Sequence, residues 1–475
     1  MIAMRLSEVA AVVGGTLDRG AGESGPDPEP GSADPGDIVV SGAASVDSRQ
    51  VPAGGLFVAI EGEHVDGHDY ARAALEAGAV AVLASRPCGV PAVLVPDPVA
   101  ALGLLARHVV DHLPATTVLA LTGSQGKTGT KDYLAALLAP EGGTVATAGN
   151  FNNELGVPLT VLRADESTRF LVVEMGARGV GHIAHLCSVA PPRVAAVLNV
   201  GTAHVGEFGG RDRIAVAKGE IVEALPADGT AVLNAGDEYT ATMGERTDAH
   251  VLTFGADGDV AWRGLRLDAS GRPTFELGHR GRWVPVQLTQ LGLHQVENAA
   301  AAAAMALAVG VGLDDVATRL GEVREMSRWR MEPHVRADGL LVVNDAYNAN
   351  PESMSAAVHT LAHLGAARPG RSVAVLGEMR ELGDADDEGH RSVGAAVAEA
   401  GVDVLVTVGG AAAAIAAGAR SAGWQGEAIV TAGRDEALVW VRENVTSGDV
   451  VLVKASRGAA LELIVEGILE GAAAR

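Results

Sequence analysis

The sequence predicts an α/β protein of three domains: a small N-terminal α/β domain, a central domain with a parallel sheet and a phosphate loop, and a C-terminal domain with a second doubly wound sheet. Three observations carry this. The chain has 475 residues, more than one ordinary core holds when a domain averages ~150. Short apolar runs alternate with helix-forming stretches, the pattern of a mostly parallel sheet covered on both faces. The segment VLALTGSQGKTGTKD, residues 118–132, passes from a buried strand through a glycine-rich turn into a helix.

The first block, 1–113, has short strands in LFVAI, AVAVLA and AVLV and a helix in DYARAALEAG. Residues 18–37, DRGAGESGPDPEPGSADPGD, are rich in Pro, Gly and acidic residues. They bury too little apolar surface to offset the entropy of ordering, so a disordered or extended surface insertion is expected there, dispensable for chemistry.

The central block, 114–325, opens on the loop Thr122–Thr128, which contains Gly123, Ser124, Gln125, Gly126, Lys127 and Thr128. Glycine lets backbone N–H groups close on phosphate oxygens, and the helix N-terminus favours the anion. Lysine reaches the terminal phosphates and the threonine hydroxyl suits magnesium. The spacing departs from G-x-x-x-x-G-K-[ST], because Leu121 stands where the first glycine is usual. A chance match is possible in a glycine-rich chain, but the strand before it and the helix after it favour ATP binding. FLVVEMG, VAAVLNV and TAVLNAG continue the sheet, 251–290 is a β excursion, and a long helix starts near Gln295. In the third block, 326–475, LLVVNDA, SVAVLGEM, VDVLVTVGG and VVLVKAS alternate with helices, which predicts a Rossmann-like sheet.

Composition narrows the function. The charge, 36 − 59 = −23, argues against nucleic acid as a partner, since phosphate neutralisation needs clustered Lys and Arg. Cys88 and Cys187 form no C-x-x-C pattern and are expected as buried thiols in a reducing compartment. The N-terminus lacks the apolar core of a signal peptide, and the alanine run at 299–309 is too short to span a bilayer. A cytoplasmic protein, monomeric and not inserted in a membrane, is expected.

Several residues outside the loop carry chemistry in combination rather than singly. Glu174 ends FLVVE at the carboxyl edge where such sheets bind ligands, though a strand-end carboxylate is often just solvated. His204 lies in GTAHVGEFG, where an exposed loop histidine is the ordinary case. Lys218 lies among apolar residues in RIAVAKGEIVEAL, and snorkelling to water is the ordinary case for it. Together, the Thr128 hydroxyl, Glu174 and His204 at successive strand ends suit magnesium around ATP. A desolvated Lys218 amine can take up carbon dioxide and become an anionic ligand.

His294 and Asn298 share a helix face at i, i+4 and suit a purine edge, although a cap and a surface Asn explain them equally well. Arg330 and Glu332 precede VVNDAYNANPESM, in which Asp345 closes a strand and Tyr347, Asn348 and Asn350 form a polar loop able to specify a ligand. Lys454, Ser456 and Arg457 follow the last strand and suit an anion or carboxylate.

The strings TGSQGKTGTK, GNFNNELGVPLTVLR, VVEMGARGVGHI, GTAHVGEFGG, AKGEI, LGLHQVENAAAA, WRME, NDAYNANPESM, LGEMRELG and VLVKASRG, with SVDSRQVPAGGLFVAIEGEHVDGHDYARAA in the first block, resemble the Mur ligases. GNFNNE and DAYNANP resemble their D-alanyl-D-alanine-adding branch. Departures are Gly129 where the loop usually has Thr, Ala455 for the glycine of K-G-S-R, and the insertion at 18–37.

The resemblance implies an ATP-dependent amide ligase of peptidoglycan precursor synthesis acting on UDP-N-acetylmuramoyl-tripeptide and D-alanyl-D-alanine. It implies that 1–113 bind the UDP end, with Ser48 and Arg49 contributing. Lys127 would hold the terminal phosphate, Thr128 and Glu174 one magnesium, and His204 a second bridged by carbamylated Lys218. His294 and Asn298 would meet the adenine, Arg330 and Asp345 the nucleotide, and Asn152 and Asn153 the muramyl-peptide. The rival readings are a ligase adding another amino acid or glutamate to folate, a P-loop phosphotransferase, and a catalytically silent nucleotide-binding module. GNFNNE and DAYNANP oppose the first, the separate C-terminal sheet the second, and the intact Lys127, Glu174, His204 and Lys218 the third.

Overall fold

The computed structural model describes residues 1–20, 34–201, 208–324, 326–380 and 382–470. In the first block β1 (Met4–Arg5) pairs with β3 (Val39–Val40). Beside them stands a five-stranded sheet of β2 (Thr16–Asp18), β4 (Ala44–Ser45), β5 (Gly55–Val58), β6 (Ala79–Ala84) and β7 (Ala92–Leu94), in the order β2-β7-β6-β5-β4. The helices are α1 (Leu6–Val13), α2 (Ala71–Ala77) and α3 (Pro98–Asp111). α3 starts where it does because Asp97 Oδ1 accepts the N–H groups of Val99 and Ala100, with proline at the first helical position.

The insertion is narrower than its composition suggests. Asp18 belongs to β2, and Asp34 caps a 3₁₀ turn, Pro35–Asp37, that is tied to the fold. Ser7 Oγ donates to Gly36 O at 3.0 Å, and Arg5 pairs with Asp37 at 3.0 Å. Its centre, 21–33, lies outside the described residues. Replacing 21–33 with a short Gly-Ser turn is expected to leave the ligation rate unchanged, and a slow variant with an unaltered melting temperature would refute this.

The central block carries a nine-stranded sheet: β8 (Thr117–Thr122), β9 (Gly143–Ala146), β10 (Thr168–Glu174), β11 (Val194–Val197), β12 (Thr230–Asn234), β13 (His250–Phe254), β14 (Val260–Leu267), β15 (Pro273–His279) and β16 (Arg282–Gln287). The order is β16-β15-β14-β13-β12-β11-β8-β10-β9. β8 to β13 run parallel and β14 still pairs parallel with β13, whereas β14, β15 and β16 pair antiparallel within the stretch expected as a β excursion over 251–290. Because β8 lies between β10 and β11, the chain leaves it towards opposite edges, which opens a crevice at its carboxyl end. Helices α4 (Lys127–Leu138), α5 (Gly156–Val161), α6 (His182–Val189), α7 (Arg211–Glu223), α8 (His294–Ala308) and α9 (Leu313–Glu322) cover the sheet. The small side chains of Ala299–Ala304 in α8 let it approach α4 closely, in one core with Leu134 and Leu137.

The apolar core is continuous from the first block to the second. Leu102, Leu105 and Val109 of α3 share a cluster with Val157 and Val161 of α5 and Ile183 of α6. The third block has a six-stranded sheet of β17 (Glu332–Val335), β18 (Leu341–Asp345), β19 (Ser372–Gly377), β20 (Val404–Val408), β21 (Glu427–Thr431) and β22 (Val450–Lys454), ordered β17-β18-β22-β19-β20-β21. All but β17 run parallel. Its helix α10 (Pro351–Ala366) reaches the central block, with His363 Nε2 2.9 Å from the Asp268 carbonyl. Among the described residues no helix is long and apolar enough to cross a membrane.

Candidate active site

The carboxyl ends of β8, β10 and β11 and those of β18 and β22 face a cleft of about 610 Å³ between the central and third blocks. At its floor β8 ends and the loop turns through Gly126 at φ +79°. A Cβ at Gly126 would stand 2.4 Å from Asn298 Oδ1, so only glycine serves here. Lys127 opens α4 and its ammonium donates to Gly123 O at 2.7 Å. The N–H groups of Ser124 and Gln125 both donate to Asn199 Oδ1 at 3.0 Å, and Gly201 N–H donates to Ser124 Oγ at 2.9 Å. Asn199 thus shapes the phosphate loop from the end of the neighbouring strand. Sequence reasoning missed it, although a polar residue ending the apolar run VAAVLNV was a usable signal.

Thr128 Oγ1 donates to Glu174 Oε2 at 2.9 Å, and Asn152 Nδ2 donates to Glu174 Oε1 at 2.8 Å. Glu174 is buried, so it is not the solvated strand end that its position alone suggests. Asn153 also lines the cleft, and its Oδ1 accepts the Gly156 N–H at the start of α5 at 2.9 Å. Lys218 projects from α7 into the same cleft and is buried. Burial, and then the positive charge of Lys127, hold its pKa well below the ordinary lysine value. Its near neighbour Glu220 is turned away to the start of α6, accepting from Gly181 N–H at 2.5 Å and Ala184 N–H at 2.9 Å. Lys218 therefore neither snorkels to water nor relies on Glu220. His204 lies outside the described residues, and among those described no group of three His, Cys, Asp or Glu side chains is placed to hold a metal ion by itself.

His294 and Asn298 share one face of α8 as expected, and both line the cleft. His294 is half-buried, its Nδ1 is buried with no hydrogen-bond partner among the described residues, and burial pulls its pKa down to about 4, Asp345 opposing and Lys454 adding to the shift. A neutral imidazole with an unmatched buried nitrogen suits a heteroaromatic ligand better than an anion.

From the third block, the Arg330 guanidinium lies 4.3 Å over the Tyr347 ring. Asp345 Oδ1 accepts from Met331 N–H at 3.1 Å and Oδ2 from Lys454 Nζ at 2.6 Å, while Lys454 also donates to Asn348 O at 2.9 Å. Asn350 lines the cleft but also caps α10, its Oδ1 accepting Ser353 N–H at 2.8 Å. Ser456 Oγ accepts from Arg380 N–H at 2.9 Å, which holds the loop after β19 beside Arg457. Ser48 and Arg49 do not line this cleft; they occupy a turn after β4 where Arg49 pairs with Asp47 at 2.9 Å.

Three family models match in chain order: the Mur ligase family catalytic domain over 43–109, the Mur ligase middle domain over 121–306, and the Mur ligase glutamate ligase domain over 329–457. The chain belongs to the Mur ligase family. Among its relatives is the UDP-N-acetylmuramoyl-tripeptide–D-alanyl-D-alanine ligase of Mycobacterium bovis, 42% identical over 99% of this chain and 98% of the relative. Similar solved Mur ligases include MurF from Acinetobacter baumannii, at TM-score 0.84, 31% identity and coverage of 98% and 99%. Another is MurF ligase from Thermotoga maritima in complex with ADP, at TM-score 0.78, 30% identity and coverage of 92% and 99%.

The two departures from the Mur ligase motifs have local explanations. A Cβ at Gly129 would lie 3.0 Å from Asn298 Nδ2, so glycine there gives the amide room against α4. The Ala455 methyl is buried against residue 377, where a Cβ would approach it to 2.7 Å, and that residue is glycine.

Proposed function

We infer that the chain joins D-alanyl-D-alanine to UDP-N-acetylmuramoyl-tripeptide, forming an amide bond while ATP becomes ADP and phosphate. What carries this reading is end-to-end similarity to a ligase of that name, on a chain whose phosphate loop, Glu174 and buried Lys218 meet in one cleft. In this reading 1–113 bind the UDP end, 114–325 bind ATP, and 326–475 bring the dipeptide. The reaction takes place in the cytoplasm.

The chemistry follows from the cleft. A carboxylate is a poor acyl donor because it is anionic and has no leaving group. Its oxygen attacks the γ-phosphorus of ATP, ADP leaves, and an acyl phosphate forms. The dipeptide amine attacks the acyl carbon, a tetrahedral intermediate follows, the amine loses a proton, and phosphate departs. Lys127 and the N-terminus of α4 neutralise charge as it spreads over the phosphoryl oxygens. The cleft walls limit water, which otherwise hydrolyses the acyl phosphate.

Thr128 and Glu174 supply a hydroxyl and a carboxylate 2.9 Å apart, a hard-oxygen donor set that fits magnesium, and His204 joins it in this reading. Magnesium there would supply charge neutralisation for phosphoryl transfer. Burial favours the neutral form of the Lys218 amine, which would attack carbon dioxide and lose a proton, giving a carbamate that would be a further anionic ligand.

An ATP-dependent ligation assay with UDP-N-acetylmuramoyl-tripeptide tests the reading. D-alanyl-D-alanine is expected to be ligated faster than meso-diaminopimelate, lysine or D-glutamate. Faster ligation of any of those single amino acids places the chain on another branch of the family.

A further inference from the structure

Lys131 and Asp132 stand one helical turn beyond Lys127 and Thr128 on α4. Their side chains are only 6% and 11% exposed, and they form an ion pair. Lys131 Nζ donates to the Thr147 carbonyl at 3.0 Å and to Ser327 Oγ at 3.4 Å. Asp132 accepts twice from Ser327, from its N–H at 2.8 Å and its hydroxyl at 3.2 Å. Ser327 lies in the connection from the central to the third block. A carboxylate receiving a backbone N–H in so enclosed a place makes a strong, directional tether.

The connection is held again a few residues on. Met331 N–H donates to Asp345 Oδ1 at 3.1 Å, and the Trp329 carbonyl accepts from Tyr347 N–H at 3.2 Å. Trp329 and Met331 have φ of +60° and +49°, a left-handed backbone that non-glycine residues rarely adopt. Such a backbone persists only where its surroundings over-determine it. Arg330 lies between the two. Its Nε is buried without a hydrogen-bond partner among the described residues, while its guanidinium stacks on Tyr347. Its aim is therefore set in large part by the path of the connecting backbone.

We propose that Asp132, braced by Lys131, is a positioning residue for ligation: by holding Ser327 it sets where the third block presents Arg330 to the phosphate loop. The same helix then carries the phosphate loop at its start and the anchor of the third block one turn later. This rests on the ligase reading given above.

The test combines kinetics with a distance measurement. Asp132→Ala is expected to lower kcat for ligation by about 10- to 100-fold, the effect of displacing a reacting arrangement by about 1 Å. KM for ATP should change less than about threefold, because the phosphate loop is intact. Spin labels at the exposed positions of Asp248→Cys and Asp435→Cys, in a Cys88→Ser background, should give a broader interblock distance distribution in Asp132→Ala than in the parent. Asp132→Asn keeps an acceptor for the Ser327 amide and should restore a narrow distribution and most of kcat. Ser327→Ala keeps the amide and should behave like the parent. An unchanged distribution in Asp132→Ala, or a raised KM for ATP with unchanged kcat, overturns the proposal. If Asp132→Ala does not fold, a narrow distribution in Asp132→Asn with kcat as low as in an inactive enzyme overturns it equally. If the parent ligates nothing, the ligase reading fails, while the distance distributions still decide whether Asp132 anchors the third block.

Discussion

Lys127→Ala is expected to abolish ligation in a protein that still folds. Lys127 stands at the first position of α4, and its ammonium is folded back on the Gly123 carbonyl, within the loop that would surround the phosphates. Removing one preorganised group that meets developing charge lowers turnover by about 10²- to 10³-fold. Here a second effect adds to it. The Lys127 charge is one of the two causes that depress the Lys218 pKa, after burial. Without it, Lys218 holds its proton more firmly and is less able to form a carbamate. The expected picture is a near-normal unfolding transition with ligation at background. Near-normal turnover in a well-folded variant would remove Lys127 from the mechanism and with it the phosphate-loop reading.

Lys218→Ala is expected to lose most activity for a different reason. A buried amine with a lowered pKa is a nucleophile for carbon dioxide, whereas an ammonium is not. The carbamate reaches the cleft on a longer stem than a Glu carboxylate offers. Removing it leaves a space that a short-chain carboxylic acid can enter, so formate or acetate should restore part of the rate. Lys218→Arg should stay inactive, because a guanidinium keeps its charge and forms no carbamate. Full activity in Lys218→Arg would show that only positive charge is needed, and the carbamate would have to be abandoned. The partnership of Glu220 with Gly181 and Ala184 makes this test cleaner, since no ion pair with Glu220 is lost with the lysine.

The phosphate loop, the strand that feeds it and the helix that leaves it are local features, and they occupy the residues that their spacing assigned to them. The alternation of strands and helices likewise led to parallel sheets in the central and third blocks, because a strand buried on both faces is apolar throughout and can be read without its partners. GNFNNE was legible as polar and specific, but not in its division of labour: both Asn152 and Asn153 line the cleft, where Asn152 bonds Glu174 and Asn153 accepts the Gly156 N–H at the start of α5. Asn350 was likewise read as a ligand group, yet its amide oxygen also starts α10. Both outcomes reflect one ambiguity, since an Asn side chain satisfies a backbone N–H as readily as a substrate. The insertion at 18–37 was overestimated at its ends, where Asp34 and Asp37 find backbone and arginine partners that composition cannot reveal.

The sequence by itself determined the fold class and the chemical types at the site, because these depend on residue identity and on spacing within one turn or one strand, while the family and the reaction came through the resemblance of its motifs. Tertiary structure alone decided the pairings. Asn199 meets the phosphate loop across 75 residues, Glu220 meets α6 across 39, and Ser327 meets Asp132 across 195. Such contacts depend on which strand ends the sheet order brings together and on how closely helices pack. A one-dimensional pattern carries no measure of either.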